Sequence, residues 1–194
     1  MKIIADLTEF HEQRSAVAIG KFDGVHLGHR KLITTMVADA KARAISSVVF
    51  TFHPSPAVFF GMAKQEMLLS DERQREIFAA LGVDVLVEFP FTAETAAIPA
   101  EVFVREILSE QLHAERIVCG DDVSFGAGGC GDLALLESLS TELGYTVLVV
   151  DKLEAFGEPV SSTRIRRAIR EGREEEACAM LGEPIAREKT GKEI

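Results

Sequence analysis

Cysteine is scarce in this chain: Cys119, Cys130 and Cys178 are three among 194 residues. An odd, widely spaced set does not make a disulfide framework, and it fits a reducing, cytoplasmic setting. No C-x-x-C pair or second histidine pair stands at ligand spacing, which weakens any zinc reading of the histidines. Positive charge is also short. Lys and Arg number 21 against 31 Asp and Glu, a formal net charge of −10. That argues against nucleic acid as the main partner, since non-specific binding to it requires a basic face. No run approaches the ~20 apolar residues of a membrane span. Residues 1–14 carry Asp6, Glu9 and Glu12 and lack the apolar core of a signal peptide. Internal repeats and low-complexity tracts are missing, and so is any Ser-His-Asp or paired-carboxylate set.

What is present is a long alternation. The 47% hydrophobic content suits one domain with a sizeable core. Short Val- and Ile-rich runs at Ser15–Ile19, Ser47–Phe52, Val83–Glu88, Arg116–Cys119 and Thr146–Val150 read as buried strands. Helical patterns lie between and after them: Gly28–Arg43, Asp71–Leu81 after the N-cap Ser70, Pro99–Gln111, Leu133–Leu143 before Gly144, Ser162–Glu171 and Glu174–Leu181. The alternation predicts an α/β fold, a doubly wound parallel sheet with helices on both faces. Ligands of such sheets bind beyond the C-terminal strand ends, at the switch point. The expected domain is 1–182, and 183–194 reads as a tail or linker stub.

Four segments could carry chemistry. In Gly20-Lys21-Phe22-Asp23-Gly24-Val25-His26-Leu27-Gly28-His29, a small-residue turn and two histidines stand where a strand gives way to a helix. A helix start offers unpaired N–H groups and a positive dipole end, glycines let the backbone approach an anion, and histidines at i and i+3 can both donate to it. In Val160-Ser161-Ser162-Thr163-Arg164-Ile165-Arg166, hydroxyls at a helix start can cap it or reach a phosphate. Arg164 and Arg166 are two apart, so they point to different sides of that helix. The glycine-rich loop Gly120–Asp132 follows a strand, with Phe125 as a stacking surface, unless it is only a surface loop. The turn Phe50-Thr51-Phe52-His53-Pro54-Ser55-Pro56, with Phe59 and Phe60, could wall an aromatic ligand or simply cover the core. His11 and His113 have no company and read as surface residues.

With these segments in this order, residues from about 15 to 182 resemble the bacterial FAD synthetase family. The likeness is to the FMN adenylyltransferase module of bifunctional riboflavin kinase/FAD synthetases, in the H-x-G-H nucleotidyltransferase superfamily. The resemblance implies a Rossmann-like fold and transfer of AMP from ATP to FMN, with Mg²⁺, giving FAD and pyrophosphate. It implies that His26, His29 and Arg166 are catalytic. Gly20, Phe22, Asp23, Gly24 and Gly28 would shape the nucleotide loop, and Ser161, Ser162 and Thr163 would hold the triphosphate from the opposite side. Phe59, Phe60, Asp122, Phe125 and Gly126 would bound FMN. Where the family usually has Phe after the loop's acidic or amide residue this chain has Val123, and its proline turn carries His53 and Ser55. The riboflavin kinase module is not expected here. A related adenylyltransferase acting on nicotinamide mononucleotide or phosphopantetheine, or a nucleotide- or flavin-binding regulator without turnover, are the alternatives. Metal ligands and oligomeric state stay open.

Overall fold

The computed structural model describes residues 1–61 and 67–185; part of the expected tail, 186–194, lies outside them. Six parallel strands form one sheet in the order β1-β4-β3-β2-β5-β6. They are β1 (Lys2–Ile4), β2 (Ser15–Ile19), β3 (Ser46–His53), β4 (Val85–Pro90), β5 (Ala114–Cys119) and β6 (Thr146–Val149). A separate antiparallel hairpin, β7 (Glu154–Ala155) and β8 (Glu158–Pro159), precedes the last two helices. The helices are α1 (Leu27–Arg43), α2 (Pro56–Phe59), α3 (Asp71–Ala80), α4 (Ala93–Ala96), α5 (Ala100–Val102), α6 (Leu133–Leu143), α7 (Ser162–Arg170) and α8 (Glu174–Leu181). After α5 the chain continues without a break as a π-helix, Phe103–Gln111.

Strand periodicity explains the layering. Every residue of β2 is buried, because helices cover both faces of the sheet. Ala16 and Ala18 of β2 face one core, with Ile33 and Met36 of α1, Phe78 of α3, Ile165 of α7 and Met180 of α8. Val17 and Ile19 face the other, with Phe103, Val104 and Leu108 of the π-helix and Leu136 of α6. The expected doubly wound sheet is therefore present, with one helix layer on each face.

From β2 the chain winds outward through α1 and β3 to β4. It then crosses back to place β5 on the other side of β2, and β6 follows. The switch point lies between β2 and β5, so the crevice opens where Gly20 and Gly120 leave their strands. Several short elements went unread in the sequence, among them β1, which has a single buried residue, the helices α2 and α4, and the β7-β8 hairpin. Glu183, expected to begin a tail, is held at 2.7 Å by Arg30 Nη2 and at 2.8 Å by Arg73 Nε. Among the described residues no helix is long and apolar enough to cross a membrane.

Candidate active site

A cleft of about 440 Å³ occupies the crevice. Gly20, His26, Gly28 and His29 line one side, Ser161, Ser162, Thr163 and Arg166 the other, with Gly120, Asp122 and Lys152 at the ends of β5 and β6. The two long-separated motifs thus meet across one space. The starts of α1 and α7 both border it, so two positive dipole ends serve the same cavity.

The turn between β2 and α1 is tightly wound. Phe22, Gly24 and Val25 all have positive φ, at 44°, 75° and 39°. A Cβ at Gly24 would stand 2.8 Å from Leu68, so only glycine serves there. Phe22 adopts its uncommon conformation with its ring buried, edge-on to His29 at 5.3 Å and to Phe78 at 5.9 Å. Phe22 therefore supports the turn from beneath.

His26 is the N-cap of α1. Its Nδ1 accepts from the His29 backbone N–H at 3.4 Å, which puts the proton of a neutral imidazole on Nε2. The His29 ring stacks on it, centroids 3.7 Å apart. Only 6% of His26 is exposed, and burial draws its pKa down to about 4, with the Asp23 carboxylate pulling the other way. Burial, then the adjacent His26, hold His29 well below the usual histidine range. His29 Nδ1 is buried with no hydrogen-bond partner. At neutral pH the pair presents uncharged N–H donors, able to serve an arriving phosphate without a fixed positive charge.

The α7 segment divides its duties. Ser161 Oγ caps the helix by accepting from the Arg164 N–H at 3.3 Å. Ser162 Oγ donates to the Asp23 carbonyl at 2.8 Å and so ties the two motifs together. Thr163 is exposed at the cleft wall. Arg166 grips the Asp23 carboxylate with both Nη atoms, at 2.7 and 3.0 Å. Arg164 points the other way and is 7% exposed. It donates to the carbonyls of Ala155 and Glu158, both at 2.7 Å, and pairs with Glu176 at 3.1 Å. It fastens the β7-β8 hairpin to the helix.

The glycine loop is only partly brought to the cleft. Asp122, Val123 and Ser124 line it. Phe125 does not: 6% exposed, it packs on Phe103 at 5.6 Å, and its backbone pairs both ways with Gly131. Gly126 backs onto Ala100, where a Cβ would come within 2.5 Å, and it too faces inward. This loop is closed by a bridge and by packing.

A second cavity of about 210 Å³ opens beside the first, beyond the ends of β3 and β4. The proline turn from Phe52 to Pro56 walls it, with Leu69 and Phe78. Phe59 and Phe60 are not in its lining. They form an exposed aromatic cluster with Phe91, centroids 5.2 to 5.8 Å apart. Sequence reasoning missed two polar pairs. Arg75 and Glu88 meet bidentately at 2.8 Å inside the second cavity. Lys152 reaches Asp122 at 3.0 Å and Asp121 at 3.3 Å across the first, and these bonds raise its pKa. The position of Lys152 just past a strand end was the available signal. Among the described residues no group of three or more His, Cys, Asp or Glu could hold a metal ion. His11 and His113 are exposed, and Cys119, Cys130 and Cys178 are free, with Cys119 buried in β5.

Comparison with known proteins bears on family and fold. A family model described as FAD synthetase matches residues 8–164. The chain is 35% identical to a bifunctional riboflavin kinase/FMN adenylyltransferase of Listeria monocytogenes over 94% of its length, but spans only 58% of that relative. A putative bifunctional riboflavin kinase/FMN adenylyltransferase of Geobacillus thermodenitrificans is 34% identical, over 89% of this chain and 92% of the relative. A crystal structure titled macrolide-efflux protein, from Streptococcus pneumoniae, superposes with a TM-score of 0.78 at 27% identity, over 94% of this chain and 60% of that one.

Proposed function

The chain belongs to the FAD synthetase family, and from that premise we propose that it is an FMN adenylyltransferase, joining ATP and FMN into FAD and pyrophosphate. The observation that carries the reading is the meeting of two helix N-termini and two neutral, stacked histidines on one cleft, next to a second cavity walled by the proline turn, Leu69 and Phe78. The first suits a polyphosphate and the second an aromatic ring system.

In the reaction a phosphate oxygen of FMN attacks the α-phosphorus of ATP in line. The new P–O bond forms as the bond to the β-phosphate bridging oxygen breaks, and pyrophosphate leaves. The acceptor is a competent nucleophile at neutral pH, so no catalytic base is needed. Position and charge stabilisation carry the acceleration. His26 donates through Nε2, His29 lies on it, and Ser161, Thr163 and the α7 N-terminus face them from the opposite wall. Arg166 supplies a planar fork for phosphate oxygens.

Mg²⁺ enters this reading only as the nucleotide's own counter-ion. The described residues offer it no cage, and Asp23 and Asp122 are already engaged by Arg166 and Lys152. We take residues 1–182 as the adenylyltransferase unit, and its three free cysteines accord with a cytosolic setting. Incubation with ATP, Mg²⁺ and, separately, FMN, nicotinamide mononucleotide and phosphopantetheine tests the reading. Pyrophosphate release is expected with FMN. Release with another acceptor alone reassigns the substrate, and release with none leaves a binding protein.

A further inference from the structure

The carbonyl of Val25, the residue before His26, is held from behind the cleft. Arg30 of α1 donates to it through Nε at 2.9 Å. Nη2 of the same guanidinium donates to the Glu183 carboxylate at 2.7 Å. Glu183 stands two residues past the end of α8, and its side chain is only 9% exposed. We propose that Glu183 and Arg30 are positioning residues for the histidine pair: the carboxylate holds the guanidinium, the guanidinium holds the Val25 carbonyl, and the peptide that enters His26 is thereby kept in one orientation. Their role in turnover rests on the proposed reaction, in which His26 and His29 donate to the phosphates.

The turn requires such a support. Val25 is β-branched and fully buried, yet its φ is 39°, a region that such residues rarely adopt. Strain of this kind persists only where the surroundings impose it. The Val25 N–H closes the turn on the Phe22 carbonyl at 3.0 Å, and Arg30 fixes the other side of the residue. Rotation of the peptide between Val25 and His26 would swing the His26 ring off its stack with His29. It would also loosen the Nδ1 contact that caps α1.

The end of α8 is fitted to this place. Gly182 has a φ of 79°, and a Cβ there would stand 2.6 Å from Leu27 and 3.4 Å from the Arg30 guanidinium. Leu27 lies between His26 and Gly28, so the chain leaving α8 passes directly behind the phosphate turn. Arg73 of α3 holds the second Glu183 oxygen at 2.8 Å. Burial opposes the Glu183 charge, but the bonds from Arg73 and Arg30 prevail and hold its pKa below the ordinary carboxylate value. The carboxylate is therefore ionised at neutral pH. The two arginines differ in reach. The Arg73 guanidinium bonds Glu183 and Glu76, whereas Arg30 bonds Glu183 and the turn itself.

That difference is tested on the full chain with ATP, Mg²⁺ and FMN. Arg30→Lys keeps the charge facing Glu183, but one ammonium cannot reproduce a fork that serves two acceptors. Glu183→Gln removes the charge that holds Arg30. Each should lower kcat roughly 10–100-fold with little change in KM for ATP, the scale of an ångström-size misplacement beside the reacting atoms. Arg73→Gln also strips a partner from Glu183, yet spares the Val25 contact, and should keep kcat close to the parent's. Parent-like kcat in Arg30→Lys and Glu183→Gln, or an equal loss in Arg73→Gln, overturns the proposal. Glu183→Gln carries the comparison should Arg30→Lys fold poorly.

The second arm needs no turnover. The His26 ring, assigned with His26→Gln, is titrated by NMR in the parent and in Glu183→Gln. Arg30 already opposes protonation of His26, so its unbalanced charge alone would push the His26 pKa of about 4 further down. A loosened turn instead admits water to the ring and raises the value toward 6.5. A rise is expected, and a fall or no change overturns the proposal. Should no acceptor release pyrophosphate, the functional reading fails and the titration alone decides whether Glu183 and Arg30 set the histidine turn.

Discussion

His26 and His29 lie ring on ring, their planes 15° from parallel and their centroids 3.7 Å apart. Neither can take a proton cheaply in the free protein, since both are held below the ordinary histidine value of 6.5. A group with a depressed native pKa contributes stability that is present above its unfolded pKa and lost as pH falls. Stability should therefore decline as pH drops from about 6.5 toward about 4, the window set by His26. His26→Gln should flatten that slope in thermal melts taken across the window. Phosphate arrival should favour the charged rings, so nucleotide binding should take up protons there. Calorimetry in buffers of different ionisation enthalpy checks this, and zero uptake contradicts it.

His29→Ala should lower kcat by roughly 10²–10³ while moving the ATP dissociation constant far less, the pattern of a donor that acts in the transition state. His26→Ala should show the same loss and also a drop of about 1 kcal/mol in stability, because it removes the N-cap of α1. Single-turnover rates beside equilibrium binding separate the two effects. A near-parent kcat in either variant removes that histidine from the mechanism.

The two arginines should fail in different assays. Arg166→Lys should weaken nucleotide binding and turnover, because a point charge cannot replace the fork, and leave the melting temperature close to the parent's. Arg164→Lys should leave kcat largely in place but cost roughly 1–3 kcal/mol of stability, since the buried guanidinium's bonds to two hairpin carbonyls are lost. A melting curve and a pyrophosphate assay on each variant suffice.

Aromatic substitutions should also separate. Phe125→Ala should destabilise by about 3–5 kcal/mol as a core truncation against Phe103, seen in urea unfolding. Phe59→Ala or Phe60→Ala should hardly move stability, since both side chains are largely exposed. If FMN stacks on that cluster, each should weaken FMN binding by about 0.5–1.5 kcal/mol beyond lost area. FMN binding indifferent to both variants takes the Phe59–Phe60–Phe91 cluster out of the flavin site.

Most of the fold was legible because each strand is an apolar run closed by a turn residue and each helix has a local stop. β2, α6 and α8 have the bounds their patterns suggested. β1 was not legible: three residues with one buried carry no alternation. Neither was the hairpin, two residues a side. Within the site, the H-x-G-H turn and the Ser-Ser-Thr helix start could be read because both are local devices. The inward turn of Phe125 depends on its pairing with Gly131 and on the π-helix, which no local pattern encodes. Lys152 and Asp122 meet only because β5 and β6 are neighbours.

The links from Asp23 to Ser162 and Arg166 span 139 and 143 positions of sequence. A chain emerging from the ribosome completes its histidine turn early, yet meets the opposite wall only when α7 appears. Closing so long a loop is entropically costly and comes late, as does most of the parallel pairing in this sheet. The nascent protein therefore passes through a stage with a formed phosphate turn and no partner for Asp23. Competence in this molecule is acquired late and in one step, when α7 docks on the histidine turn.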